Sequence, residues 1–356
     1  MTNLLEGAGN LFELLALKFS NVLWSPGSTF SVASLLSAFF IATTFLLLRG
    51  RKGKRDVSLR AMLRALFPRH YWRSKSLRTD AGLLFFNVAL FSVLFGWALI
   101  SAGFITQDIT GGLTRLAGAM PSLGLNPVLA KAIATVTLFL AYELGYWTDH
   151  ALSHRVPFLW EFHKVHHTAE VLSPMTNYRT HPVDSIVFFN IEAVFLGVTG
   201  GVLNYVLGDG VGIFSIGGAN VILLSFVFMT VHLQHSHIWI PATGALGRVI
   251  LSPAHHQLHH STNSAHFNKN FGSCLALWDW MFGTLNMPSR KRERLSFGIE
   301  PKSSQHHTAL GTLVYPFLHS AKAAVRLIPA LSPPSPSPRA SASGEDLLTR
   351  YVNQPR

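Results

Sequence analysis

"VLAKAIATVTLFLAYELGYWTDHALSHRVPFLWEFHKVHH", residues 128–167, joins an apolar run to two groups of histidines. About 20 apolar residues suffice to cross a bilayer core as a helix, and 128–147 has that length. Polarity then changes abruptly: His150 and His154 are four apart, and His163, His166 and His167 follow within one turn. Residues three and four apart share a helix face. The stretch therefore reads as a membrane helix that delivers imidazoles to the membrane surface.

Working outward, four further runs have spanning length: 29–48, 82–104, 185–207 and 211–231. The chain is 49% hydrophobic and 13% charged, whereas a soluble domain carries about a quarter charged residues. The first run starts too late, and lacks the basic start and cleavage site, to be a signal peptide; it reads as a retained anchor. The expected fold is all-α: a polytopic bundle of four to five membrane helices with a cytoplasmic helical cap.

Charge sets the orientation. Residues 49–78 hold eleven Lys or Arg against the single acid Asp56, and basic loops beside spans stay in the cytoplasm. With five spans the N-terminus is then outside and the C-terminus inside, loops 148–184 and after 232 are cytoplasmic, and 105–127 and 208–210 face out. The basic run "RKRER" (290–294) and the lone Arg115 in 105–127 agree with that assignment. The net charge of +12 suits anionic headgroups, and no recognition module for nucleic acid accompanies it. Expected divisions are an extracytoplasmic or interfacial segment 1–28, spans one to three over 29–147 with a basic loop at 49–80, a catalytic region 148–330, and a disordered tail 331–356 marked by "SPPSPSPRASASG".

The single cysteine, Cys274, excludes an internal disulfide and any cysteine-based zinc or iron–sulfur site. The histidines are the remaining donors. Fourteen of the 18 lie between His150 and His266, and each cluster falls on the side assigned to the cytoplasm. One HxxxH pair alone is more often structural; two HxxHH groups and an HxxxH on one membrane face point to metal. Their number exceeds the needs of one four-coordinate ion, so two metals are expected, and imidazole suits iron, zinc, copper and nickel.

In order, "HALSHRVPFLWEFHKVHHTAE", "NYRTHPVD", "HLQHSHIWIP", "SPAHHQLHHS" and "HFNKNFGSCLALWDWMFGTL" resemble the histidine-box motifs of the fatty acid hydroxylase and sterol desaturase superfamily of membrane di-iron enzymes. The resemblance covers about 143–285. It implies metal ligands at His150, His154, His163, His166, His167, His256, His259 and His260, with His235 and His181 added, and His232 and His255 as further candidates. It also implies two iron ions, O2 as co-substrate, and hydroxylation of a membrane lipid, whether fatty-acyl, sterol or amino-acid-containing. No cytochrome b5 signature or dinucleotide fingerprint is present, so the electrons are expected from a separate ferredoxin, cytochrome b5 or reductase. Two departures stand out: Ala151 follows His150 where bacterial relatives often have Arg, and Asn268 replaces an Asp.

Carboxylates that orient ligand histidines are sought among Glu143, Asp184 and Asp279. Glu143 lies in the third span, where a carboxylate is costly, and seven residues before His150. Arg179 is a candidate for an anionic headgroup. The competing activities are sterol C-5 or fatty-acyl desaturation, to which "HPVD" at His181 points, and membrane metal transport, which would need ligands lining a path through the bilayer.

Overall fold

The computed structural model describes residues 2–52, 58–119, 123–208, 210–300 and 302–326. Residues 53–57 of the basic loop and the expected disordered tail 331–356 lie outside the described residues. The described chain is helical apart from a single two-stranded hairpin and two isolated bridges.

The N-terminal elements are α1 (Thr2–Trp24), which occupies most of the segment expected to be interfacial, α2 (Val32–Lys52), and the short α3 (Leu59–Leu66) and α4 (Arg69–Arg73). Next comes α5 (Lys75–Phe86), which continues through a π-turn at Asn87–Phe91 into α6 (Ser92–Phe95) and, after a break, α7 (Ala102–Ala117). The long α8 (Pro127–Arg155) is followed by α9 (Pro157–His167) and α10 (Pro182–Leu207). Four helical stretches are long and apolar enough to cross a membrane: Val32–Arg51, Lys75–Ala117, Pro127–Arg155 and Pro182–Leu207. The chain is thus a helical integral membrane protein.

Contacts fix the relative directions. Asp184 in the first turn of α10 meets His163, just beyond the C-terminal end of α8, and Tyr146 of α8 meets Phe188 of α10, so α8 and α10 run antiparallel. Ile105 and Ile109 of α7 sit over Gly197 and Gly201 of α10 in the same order, so close that a Cβ on either glycine would fall 2.6 Å from the isoleucine Cβ. Small residues spaced by four let two membrane helices approach in this way. The α5–α7 passage therefore runs parallel to α10.

That packing corrects two expectations. The segment 105–127, expected as an outer loop, is helix as far as Ala117, because the glycine groove of α10 extends the second passage. The run 211–231 is not a fifth full span. It holds the hairpin β1 (Ser215–Ile216) and β2 (Ala219–Asn220), turned by Gly217 and Gly218 at positive φ, and then α11 (Val221–Phe226), a π-turn and α12 (His232–Gln234). A two-residue Gly-Gly loop is a hairpin signal, and "SIGGAN" carries it. The remaining apolar helix, Val221–Gln234, is short. Asn220 caps it at its start and also donates to Thr135 O near the beginning of α8, so it too descends toward the histidine end.

The cap is made of α9, α13 (Gly244–Val249), α14 (Pro253–His259), α15 (Leu277–Met281) and α16 (Tyr315–Arg326) with their connecting loops. Trp239, Ala254 and Leu258 form one small core behind α14, and Trp147, Ala151 and Phe271 form another behind the end of α8.

Candidate metal centre

Proline at the first turn marks the helices that carry the site, Pro127 in α8, Pro157 in α9 and Pro253 in α14. Asn126 caps α8 ahead of Pro127, and a Ser252–His255 capping box starts α14 at Pro253. Proline at N1 gives up no helical hydrogen bond, so each helix starts at a fixed residue and its histidines emerge in a fixed phase.

The phase divides the histidines into two groups. His150, His154, His163, His167 and His259 form one, and His166, His235, His256 and His260 the other; within each, the donor atoms lie within 4.8 Å of one another, and all nine side chains are buried. Each HxxHH box is split. On α9, His163 and His167 join the first group and His166 the second; at α14, His259 joins the first while His256 and His260 join the second. The groups adjoin where the His167 and His260 rings stack at 4.6 Å.

In the first group the Nε2 atoms of all five histidines are buried without a hydrogen-bond partner, while three of the rings are held from behind. His150 Nδ1 donates to Phe271 O at 2.8 Å, His259 Nδ1 donates to Lys269 O at 2.8 Å, and His163 Nδ1 donates to Asp184 at 3.2 Å. These bonds leave each Nε2 as the free lone pair, the arrangement of a metal-ligating histidine. In the second group four Nε2 atoms converge: His235 Nε2 lies 2.9 Å from that of His256 and 3.1 Å from those of His166 and His260. One imidazole nitrogen has one proton or one lone pair, so hydrogen bonding cannot serve three such neighbours. Nitrogens bound at about 2.0–2.1 Å to one ion stand about 3.0–3.4 Å apart, close to what is seen.

Burial also sets the protonation state. It holds His235 and His259 down to about 3, with the Lys269 carbonyl opposing the shift at His259. It holds His166, His167, His256 and His260 well below the ordinary imidazole value, and neighbouring imidazoles add to the effect. At neutral pH these rings are uncharged and ready to coordinate.

A family model for fatty acid hydroxylase matches residues 135–284, which contain all nine clustered histidines. That region of the chain is similar to fatty acid hydroxylases. It is 26% identical over 192 residues to alkylglycerol monooxygenase of Danio rerio, covering 51% of this chain and 36% of that protein. It is 26% identical over 248 residues to an ornithine lipid hydroxylase of Rhizobium tropici, covering 60% of this chain and 70% of that protein. Alkylglycerol monooxygenase of Homo sapiens is 25% identical over 48% of this chain and 35% of its own length. The chain thus spans about a third of the alkylglycerol monooxygenases it matches. No solved structure matches it.

Other candidates in the chain lie outside the two groups. His181 is the N-cap of α10: its Nδ1 accepts from Val183 N–H and its Nε2 donates to Leu313 O, so both nitrogens are engaged. His232 meets Ser34 Oγ of α2 at 2.9 Å, and His255 pairs with Ser252 in the α14 capping box. Arg179, read from sequence as a headgroup contact, is fully buried. It pairs with Asp80 of α5 at 2.7 Å and donates to Val165 O and Thr168 Oγ1, tying the end of α9 to the start of the second passage.

The carboxylates take different stations. Asp184 touches a clustered histidine directly. Asp279 accepts from the backbone N–H of Phe271 and of Gly272 and from Thr284 Oγ1, so it sets the loop whose Phe271 carbonyl holds His150. Glu143 accepts from the N–H of Cys274 and Leu275 at 3.0 and 2.7 Å and makes no contact with a histidine. Sequence inspection missed the two carbonyls, which come from a loop bent by Asn268 and Asn270 at φ 57° and 58°. Asparagine is among the few residues that adopt this conformation readily, and "FNKNFG" carries two.

Proposed function

We propose that this protein is an oxygen-dependent lipid hydroxylase with one iron in each histidine group. The observation that carries it is the set of convergent buried nitrogens, five Nε2 atoms without partners beside four in mutual contact; hydrogen bonding leaves both unsatisfied and metal ions satisfy both. His150, His154, His163, His167 and His259 would hold one ion, and His166, His235, His256 and His260 the other. The bound iron pair would supply the conversion of RH, O2, two electrons and two protons into ROH and water.

The chain's own residues do the rest. Asp184 and the carbonyls of Phe271 and Lys269 fix three ring orientations, so the donor nitrogens are set before metal arrives. Burial keeps the imidazoles neutral and water away. The location of the groups at the ends of membrane helices favours a substrate that enters from the bilayer, and the relatives' names, alkylglycerol monooxygenase and ornithine lipid hydroxylase, both denote oxidation of a lipid. The two electrons are assigned to a separate donor protein on the cytoplasmic side, the side that the charge of the basic loop favours for the site.

The test is lipid mass spectrometry of cells making the protein, compared with cells making His256→Ala and His259→Ala variants. A lipid that gains one oxygen only with the parent protein is expected. Loss of two hydrogens instead would make the enzyme a desaturase, and identical lipid profiles would overturn both activities.

A further inference from the structure

A cleft of about 350 Å3 lies outside both histidine groups, beside the C-terminal turns of α2, and it is large enough for a small-molecule ligand. Three arginines from separate parts of the chain line it: Arg49 at the end of α2, Arg64 in the last turn of α3, and Arg292 in the basic run after the cap. No Asp or Glu is among its described lining residues. Apolar side chains line it as well, Phe45 and Leu46 from α2 and the buried Ile238 and Trp239 from the cap. The cleft therefore pairs a cationic rim with a hydrocarbon-like wall.

Its surroundings indicate the depth at which it sits. Helix α2 is one of the candidate membrane spans, and Arg49 lies in its last turn. Helix α3, "LRAMLRAL", has Leu59 and Leu63 66% and 44% exposed, and beyond it Phe67 and Trp72 are 47% and 65% exposed. Arg60 and Arg64 are displaced around the helix from Leu59 and Leu63. A short amphipathic helix of this kind, next to the end of a span and followed by tryptophan, lies in the membrane interface. The cleft opens at the level of lipid headgroups.

We propose that this cleft binds a bilayer lipid with an anionic phosphate headgroup, the phosphate among Arg49, Arg64 and Arg292 and the acyl chain along Phe45 and Leu46. Guanidinium groups match phosphate oxygens in pairs, and among the described lining residues no carboxylate competes for their charge. The apolar wall, continuous with a membrane helix, selects a lipid over free phosphate. The headgroup contact sought from sequence at Arg179 thus moves to arginines that face outward. The proposal stands on the cleft alone and does not depend on the metal chemistry.

The full chain in detergent micelles, titrated with phosphatidylglycerol and followed by native mass spectrometry, tests it. Phosphatidylglycerol should be retained in preference to phosphatidylcholine. An Arg64→Gln, Arg292→Gln variant should bind it about thirtyfold more weakly, the effect expected on losing two basic contacts with an anionic headgroup, with metal content and thermal unfolding unchanged. Equal retention of the two lipids, or a variant that binds as the parent does, would overturn the proposal. Displacement of the lipid by millimolar inorganic phosphate would overturn the choice of a lipid as the ligand. Binding is read without turnover, so its failure leaves the proposed hydroxylation untouched, and the reverse also holds.

Discussion

Among the described residues, Asp184 is the carboxylate that hydrogen-bonds a clustered histidine, His163. An anion behind an imidazole fixes its tautomer and raises its basicity toward metal, and loss of such a partner lowers metal affinity about 10- to 100-fold. Asp184→Asn keeps the shape and removes the charge. The purified variant should hold less metal than the parent at matched free iron, with its helical content unchanged by circular dichroism; equal metal content would show that Asp184 merely packs. Asp184 was legible as a candidate from its distance to the histidine boxes, whereas the roles of Glu143 and Asp279 were not. Glu143 binds backbone N–H groups of Cys274 and Leu275, more than 120 positions away, a distance that conceals the pairing, and Asp279 binds those of Phe271 and Gly272 through a loop turn that no helical or strand period reveals. His181 fits its motif yet serves as a helix cap, because one histidine can satisfy a spacing pattern and still spend both nitrogens on the backbone.

At the scale of the element, periodicity showed that the histidines of an HxxHH box share a face, and it could not show that the face is divided. On a helix, i and i+4 are separated by about 40° and i+3 falls on the other side, so a box pressed between two ions sends its outer pair one way and its middle member the other. On α9 the pair His163 and His167 goes to the first group; at α14 the pair His256 and His260 goes to the second. The contribution is unequal and complementary, which gives a stoichiometric consequence. His256→Ala with His260→Ala removes two of four donors from the second group and none from the first. That double variant should purify with about one metal per chain where the parent holds two, and His150→Ala with His154→Ala should likewise lose one ion. Loss of both ions together from either variant would mean that the groups form a single inseparable site. The hairpin at Ser215–Asn220 was equally open to inspection, since its Gly-Gly turn interrupts the run 211–231; hydropathy averaged over a window conceals a two-residue turn.

For the whole molecule, the legible feature was the alternation of apolar runs and histidine boxes along the chain, an order that the structure retains. Passages α5–α7 and α10 leave the histidine end, α8 and the short α11–α12 helix approach it, and the buried Arg179–Asp80 pair fastens the cap to the start of the second passage. Helix α2 approaches the same end, because Gly27, ahead of it, abuts Gly217 of the far hairpin while its last turns border the cleft with Ile238 and Trp239. The approaches and departures then make an odd number of passages from α2 to the cap, although the last is too short to span a full core by itself. An odd count puts the start of α2 and the cap on opposite sides, and the charge bias of the eleven basic residues of 49–78 predicts that the cap faces the cytoplasm. A green fluorescent protein fused after Arg326 should fluoresce, whereas alkaline phosphatase fused at the same point should be inactive. At the turn 25–28, between α1 and α2, an introduced cysteine should react with a membrane-impermeant maleimide in intact cells, while one at Ser289 in the cap should react only after lysis. Labelling of the cap from outside would invert the orientation and, with it, the side on which the proposed electron donor would dock.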